Sequence, residues 1–407
     1  MFAEVDTQAA TSHFAWSFSL NNKRVVEILQ DLVAIPSVNP VYDSTSPGEA
    51  AVADHVERWA AELGLETTRL AALPGRENVL VRLMGPDAAP VLLFEAHMDT
   101  VGVDGMPDAF KPTVRDGRMY GRGTCDTKGS LAAMMAAIES LVADRSALTC
   151  TVELLAAVDE ETSGKGAFAH VASGGTADAA IVGEPTACRI VHEHNGCVRG
   201  EIEVIGKAAH TSVAGEGLNA IEGMAEVIRA LRVVNEVLGS RPGGAPEHGS
   251  LTVSLISGGT GINVVPERCV VNYDRRITPG QTPDEALAEI DAALKQVSRA
   301  RPEFRIERPE PWLVNGSLAT LPDAGIVITA TSACDALGLN SALKRVPYGS
   351  DASKFAADGI PTIVFGPGSI AQAHAVDEFV LVEDLVMATR FYREMALRFG
   401  TNAVAGK

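Results

Sequence analysis

The stretch VLLFEAHMDTV, residues 91–101, runs an apolar tetrapeptide into a histidine and an aspartate two positions apart. Four consecutive apolar residues read as a buried strand. Alternation along a strand places residues i and i+2 on one face, so His97 and Asp99 are expected to leave the strand end as one polar pair. Layered α/β folds place their ligands in loops at strand ends. The stretch therefore predicts both a fold class and the place in it where chemistry sits.

Outward from it the alternation continues. VVEILQDLVAI reads as a helix ended by Pro36, and AVADHVERWAAELGLE has helical apolar spacing with a stop at Gly64. NVLVRLMG, CTVELLAAV and AAIVG read as strands, and an Ala/Met-rich helix fills about residues 130–142. Between about residues 196 and 309 the pattern changes. There VRGEIEVIG, NAIEGMAEVIRALRVVNEVL, SLTVSLIS, ERCVVNYDRR, DEALAEIDAALKQV and EFRIERP read as β-α-β-β-α-β, the order of a ferredoxin-like α+β sandwich. SRPGGAPEHGS is a loop inside it. From about residue 311 the first style returns, through GIVITATSACDALG and IPTIVFG to a terminal helix. The expected architecture is an α/β catalytic domain split into residues 1–193 and 311–407, with an inserted domain at 194–310 suited to act as a lid.

Bulk composition narrows the function. At 407 residues and 46% hydrophobic content, two domains with their own cores are the default. A formal charge of -18 argues against nonspecific grip on nucleic acid or an anionic membrane, while leaving room for a local basic pocket. Six scattered cysteines without a CxxC pair fit a reducing cytoplasm. The start MFAEVDTQAATSHFAWSFSL carries acidic residues where a signal peptide needs positive charge, and no run approaches the length of a membrane span. A cytoplasmic protein is expected. GRG and TKGS do not make a phosphate loop, no basic stripe carries interleaved aromatics, and no serine sits in an elbow motif.

Further acids and a histidine punctuate the strand ends and Gly/Pro-rich loops: Asp126 in YGRGTCDTKGS, Glu160 and Glu161 in AAVDEETSGKG, Glu184 in IVGEPT, and His374 in GPGSIAQAHAVDEF. Two histidines with several carboxylates suit zinc or a comparable divalent ion, and a shared carboxylate can hold two such ions together. Taken singly, His97 reads more readily as a hydrogen-bonded core histidine, His374 equally as a surface residue, and Glu160 and Glu161 more readily as a solvated turn. A non-catalytic binding or scaffold protein is a third class of reading. Against it stands the cost of gathering several buried negative groups without a cation.

Read together, HMDTV, GRGTCDTKG, DEETSGKG, GEPT, GKAAHTS and GSIAQAHAVDEF resemble the zinc aminoacylase and peptidase family that includes acetylornithine deacetylase, succinyl-diaminopimelate desuccinylase and carboxypeptidase G. The resemblance runs in order from about residue 26 to 395. It implies that His97, Asp126 and Glu184 hold one metal ion and Asp126, Glu161 and His374 a second, with Asp126 as the bridge. The ions would be Zn²⁺, with Co²⁺ or Mn²⁺ as alternatives. It makes Glu160 the general base and Asp99 the acid that orients the ring of His97.

In the inserted domain the resemblance implies that His210 meets the reacting carbonyl, often from the neighbouring subunit of a homodimer, and that this domain also dimerises. Asn263 would donate near the substrate, and Arg276 would grip a substrate carboxylate through paired donors. Arg275, its strand neighbour, should face the other way. Gly349 and Ser350 in YGSDASKF would line the pocket. The implied reaction is hydrolysis of the amide bond of an N-acyl amino acid, most like the first two enzymes named. A dipeptidase or carboxypeptidase is the alternative. HNG at 194–196 departs from a more basic version in many relatives, and Cys125, just before Asp126, is expected as a packed neutral thiol.

Overall fold

The apolar runs become the strands of two units. The computed structural model describes residues 23–241 and 249–403, so the N-terminal stretch and most of SRPGGAPEHGS lie outside the described residues. One unit comprises the chain up to His192, Thr320–Lys344 and Ser350 onward; the other comprises Glu193–Ala319 and Arg345–Gly349. The second unit thus reaches past residue 310, for a hydrogen-bonding reason. Strand Leu313–Asn315 pairs with strand Gly196–Ile205, Asn195 N donates to Val346 O at 3.3 Å, and Arg345 Nη2 donates to Asn195 Oδ1 at 3.2 Å.

In the first unit the sheet runs in the order Glu66–Leu73, Arg76–Leu83, Thr151–Ala157, Val91–His97, Ala179–Val182, Thr362–Val364. Val91–His97 lies parallel to both its neighbours, and it and Thr151–Ala157 are buried along nearly their whole length. Strands covered on both faces read as continuous apolar runs, which is why VLLF and CTVELLAAV were legible. Glu66–Leu73 pairs only with Arg76–Leu83 and is half exposed, so no such run announces it.

The helix at 23–34 ends before Pro36, and Ala50–Glu62 ends at Gly64, whose φ of 66° suits the helix stop. Helix Lys128–Ala143 buries 12 of its 16 residues, as expected of a helix that is largely apolar all round. Leu29, Phe94, Met134, Leu154, Ile181, Phe365 and Phe391 belong to one core. Phe365 and Phe391 stack with centroids 3.6 Å apart.

The second unit folds as strand Gly196–Ile205, helix Ala220–Gly239, strands Ser250–Gly258 and Arg268–Ile277, helix Pro283–Ala300 and strand Arg305–Glu307. These four strands form an antiparallel sheet in which the second, third, first and fourth lie side by side. Its core gathers Val198, Ile202, Met224, Leu231, Val271 and Ile290. Thr282 and Glu285 form a capping box at the start of the second helix, satisfying otherwise orphaned N–H groups. No helix among the described residues is long and apolar enough to cross a membrane.

Candidate active site

Sheet register brings the separated motifs together. His97 stands opposite Ala157 on one neighbouring strand, and Glu95 stands opposite Val182 on the other. The chain leaves these three adjacent parallel strands at the same edge, carrying His97, then Glu160 and Glu161, then Glu184. Asp126 comes in from the turn before helix Lys128–Ala143, and His374 from the loop after Thr362–Val364.

All six converge. His97 Nε2 lies 3.2 Å from Asp126 Oδ1 and 4.0 Å from Glu160 Oε2. His374 Nε2 lies 3.3 Å from Asp126 Oδ2 and 3.1 Å from Glu161 Oε2. Asp126 therefore presents one oxygen to each histidine. Ligand atoms of His97, Asp126 and Glu161 lie within 4.8 Å of one another, as do those of His97, Glu160 and Glu184. His97, Asp126 and Glu184 are buried, and the Glu160 and Glu161 side chains are only 17% and 6% exposed. Glu161 Oε1 is buried with no hydrogen-bond partner among the described residues. Oxygen and imidazole donors so gathered, one of them orphaned, fit two divalent metal ions.

The electrostatics point the same way. Burial, reinforced by Asp351 and Glu161 and partly offset by His97, pushes Glu160 up to about 8. Burial and the Asp126 charge push Glu161 up to about 7, and burial raises Glu184 well above the ordinary carboxylate range. Burial also opposes the charge on Asp126, but hydrogen bonds from His374 and His97 outweigh it and hold this carboxyl low. The same bonds to Asp126 and Glu161 raise His374 to about 10. This is an excess of negative charge withheld from water, which bound cations relieve.

The profile of peptidase family M20/M25/M40 matches residues 93–398. The chain belongs to that family. An acetylornithine deacetylase of Aliivibrio fischeri is 33% identical over 360 residues, spanning 86% of this chain and 92% of the relative. An acetylornithine deacetylase of Vibrio campbellii is 31% identical over 367 residues, spanning 87% and 93%. The crystal structure of aminopeptidase PepT from Bacillus cereus shares the fold at a TM-score of 0.75 and 23% identity, over 93% of this chain and 98% of that one. With this family and this donor set, the protein is a metal-dependent amidohydrolase that cleaves amide bonds.

Around the cluster of this M20 enzyme stand supports that sequence reasoning missed. Glu378 Oε1 accepts from Cys125 N at 2.9 Å and Asp126 N at 3.1 Å, while its Oε2 is paired with Arg122 at 2.6 Å. Arg122 also donates to Gly102 O at 3.2 Å and to Ala375 O, beside His374, at 3.3 Å. One buried ion pair thus ties the Asp126 turn to the His374 loop. Glu378 lies within the quoted HAVDEF run, but nothing local separates a buttressing acid from a ligating one. The Cys125 thiol is buried, with Sγ 3.4 Å from Ser369 O, and burial pushes its pKa well up, as a neutral thiol requires.

Asp99 stands beside the His97 ring, as the expected orienting acid would, and reaches further. The strand ends at His97, so strand alternation is not what pairs the two residues. His97 Nδ1 lies 3.0 Å from the Asp99 carbonyl oxygen and 3.4 Å from carboxylate Oδ1. The carboxylate accepts from Glu160 N at 3.1 Å and Glu161 N at 3.2 Å. Its carboxylate thus meets both the ring of His97 and the acidic loop, and its carbonyl meets the ring as well.

The remaining candidates of the M20 enzyme, apart from Ser350, lie in the second unit. His210 is exposed; its Nδ1 accepts from Ser212 N at 3.1 Å, and it pairs with Val264 in a two-residue ladder. Thr211 N donates to Asn263 O at 3.1 Å, so His210 and Asn263 share one corner. Arg276 is half-buried with Asp274 at 2.8 Å, whereas Arg275 is buried on the opposite face with Glu289 at 2.7 Å. Gly349 is exposed, and a Cβ there would stand 3.2 Å from Asn195 O. Ser350, in the first unit, is buried, and its hydroxyl accepts from Ala352 N at 3.3 Å where the short helix Ala352–Ala357 begins.

Proposed function

We propose that this enzyme removes the acyl group from an N-acyl amino acid, in the manner of the acetylornithine deacetylases it resembles across most of its length. The observation that carries the reading is the sharing of Asp126 between His97 and His374 within a nest of glutamates. His97, Asp126 and Glu184 would hold one ion and Asp126, Glu161 and His374 the other, zinc being the first choice. Bound ions polarise the acyl oxygen and make water a stronger acid. Glu160, beside His97 at the rim of the donor set, receives the proton of the attacking water as a carboxylate and delivers it to the leaving nitrogen.

The second unit is a ferredoxin-like lid and dimerisation domain of a homodimer; its strand order, with the fourth strand beside the first, supports this. His210 steadies the oxyanion, Asn263 donates a hydrogen bond to the substrate, Arg276 exchanges Asp274 for the substrate carboxylate, and Gly349 and Ser350 line the substrate pocket. Six buried cysteines, none of them in a disulfide, support a cytoplasmic address.

A panel of N-acetyl amino acids, N-succinyl amino acids and dipeptides, assayed with the metal-loaded enzyme, tests this. The highest kcat/KM is expected on an N-acetyl amino acid. Negligible turnover of every N-acyl substrate beside rapid dipeptide cleavage would replace the reading with a dipeptidase.

A further inference from the structure

Behind the acidic loop runs a line of buried polar side chains that begins far away in sequence. Asn39 is fully buried, its main-chain N–H donating to Thr100 O at 2.9 Å and its side-chain Oδ1 accepting from Val41 N at 3.2 Å. Its amide Nδ2 donates to Asp99 Oδ2 at 2.8 Å and to Asp159 Oδ1 at 3.1 Å, with Thr162 Oγ1 at 3.3 Å. An amide nitrogen carries two hydrogens, and here they join two buried carboxylates.

Each carboxylate holds one side of the acidic loop. Asp99 accepts from the main-chain N–H of both Glu160 and Glu161. Asp159 donates its own N–H to Glu49 Oε1 at 3.1 Å, and its Oδ1 also receives Arg76 Nη1 at 3.0 Å. Arg76 in turn donates to Glu49 Oε2 at 2.7 Å. Asp159 sits at φ 71°, where residues other than glycine are uncommon. The turn that aims Glu160 and Glu161 is therefore held against its own preference, and Asn39 is the neutral link between its two anchors.

We propose that Asn39 is a positioning residue for hydrolysis: by bridging Asp99 and Asp159 it sets the main chain of Glu160 and Glu161, touching neither substrate nor ion itself. The inference rests on Glu160 being the general base. Without the amide, the two buried carboxylates lose the donor they share, and each keeps only the donors on its own side. Their repulsion then turns them apart, and that movement loosens the N–H bonds that fix the loop. A displacement of about 1 Å in a reacting group can cost on the order of 10²-fold in rate.

The test uses Asn39→Ala, and Asn39→Asp, which keeps the shape but replaces the donor with a charge, beside wild type and Glu160→Gln. Each is purified as metal-loaded enzyme and measured for metal per chain, melting temperature, kcat and KM on the best N-acyl substrate. Both Asn39 variants are expected to keep two metals and a KM near wild type while kcat falls about 10–100-fold, further for Asn39→Asp. A purely structural role lowers the melting temperature and leaves kcat per metal-loaded site at the wild-type value; that result overturns the proposal, as does a loss of kcat that merely tracks lost metal. Inactive Glu160→Gln with wild-type kcat in Asn39→Ala rejects the role of Asn39 alone. Normal turnover by Glu160→Gln rejects the base assignment instead.

Discussion

The two units prepare their chemistry in opposite ways. In the first, His97, Asp126 and Glu184 are buried, Glu160 and Glu161 nearly so, with His374 the more open member, and the turns carrying Asp126 and the two glutamates are gripped by Glu378, Asp99 and their partners. In the second, His210 and Asn263 are exposed, and Arg276 and His210 find partners two residues away, Asp274 and Ser212. The difference is one of timing. Groups that must share buried charge have to be organised when the chain folds, because an unpaired buried charge is costly. Groups that touch only substrate can stay solvated on local partners until it arrives.

Substitutions can break that contrast or sharpen it. The largest effects belong to the buried half: Glu160→Ala should lower kcat about 10²–10⁴-fold with full metal content, and His97→Ala should lose metal as well as turnover, read by elemental analysis. Near-normal kcat in a metal-loaded Glu160→Ala enzyme would sink the mechanism. In the solvated half, His210→Ala should cost about 10²–10³-fold in kcat with metal content and melting temperature unchanged. A fall in either of those two quantities would mean that His210 is part of the folded framework and the contrast is false.

The smallest effect is a pH trend in metal-free protein. Glu160 at about 8, Glu161 at about 7 and His374 at about 10 all lie above the ordinary values of their kinds. Each therefore binds more protons folded than unfolded between its two values, so stability must fall as pH rises. The histidine's contribution is complete below its ordinary pKa and lost as pH climbs through the raised one; the glutamates' penalty grows from their ordinary pKa upward. Asp126 is shifted down, and its window lies in acid. Melting temperature of the metal-free protein should decline between about pH 5 and 9, and the rescue by added metal should grow with pH. A melting temperature that rises across this range contradicts the assignment.

What was legible in the sequence was the chemistry carried by strand ends. Buried parallel strands are conspicuous, and His97, Glu160, Glu161 and Glu184 follow them at once, so type and place appear together. Asn39, Arg76, Arg122 and Glu378 were not legible because their work depends on what the fold sets beside them, 60 residues away for Asn39 and Asp99, 256 for Arg122 and Glu378. Asp99 was half legible: its nearness to His97 is local, but the reach of its carboxylate to the 160–161 loop is not. The second unit's claim on Arg345–Gly349 was invisible for the same reason, since it follows from the bonds Asn195 makes.

The register of the sheet carries one more consequence. Neighbouring strands lie about 4.7–4.9 Å apart in any sheet, and His97, the two glutamates after Ala157 and Glu184 hang from three consecutive strands of this one. The breadth of the metal cradle is thus a dimension of the backbone, set by repeating peptide hydrogen bonds before any side chain is chosen. A ruler of that kind cannot drift by small steps. Mutation can retune what enters the cradle or how firmly its rim is held, while the cradle's own width stays that of the sheet.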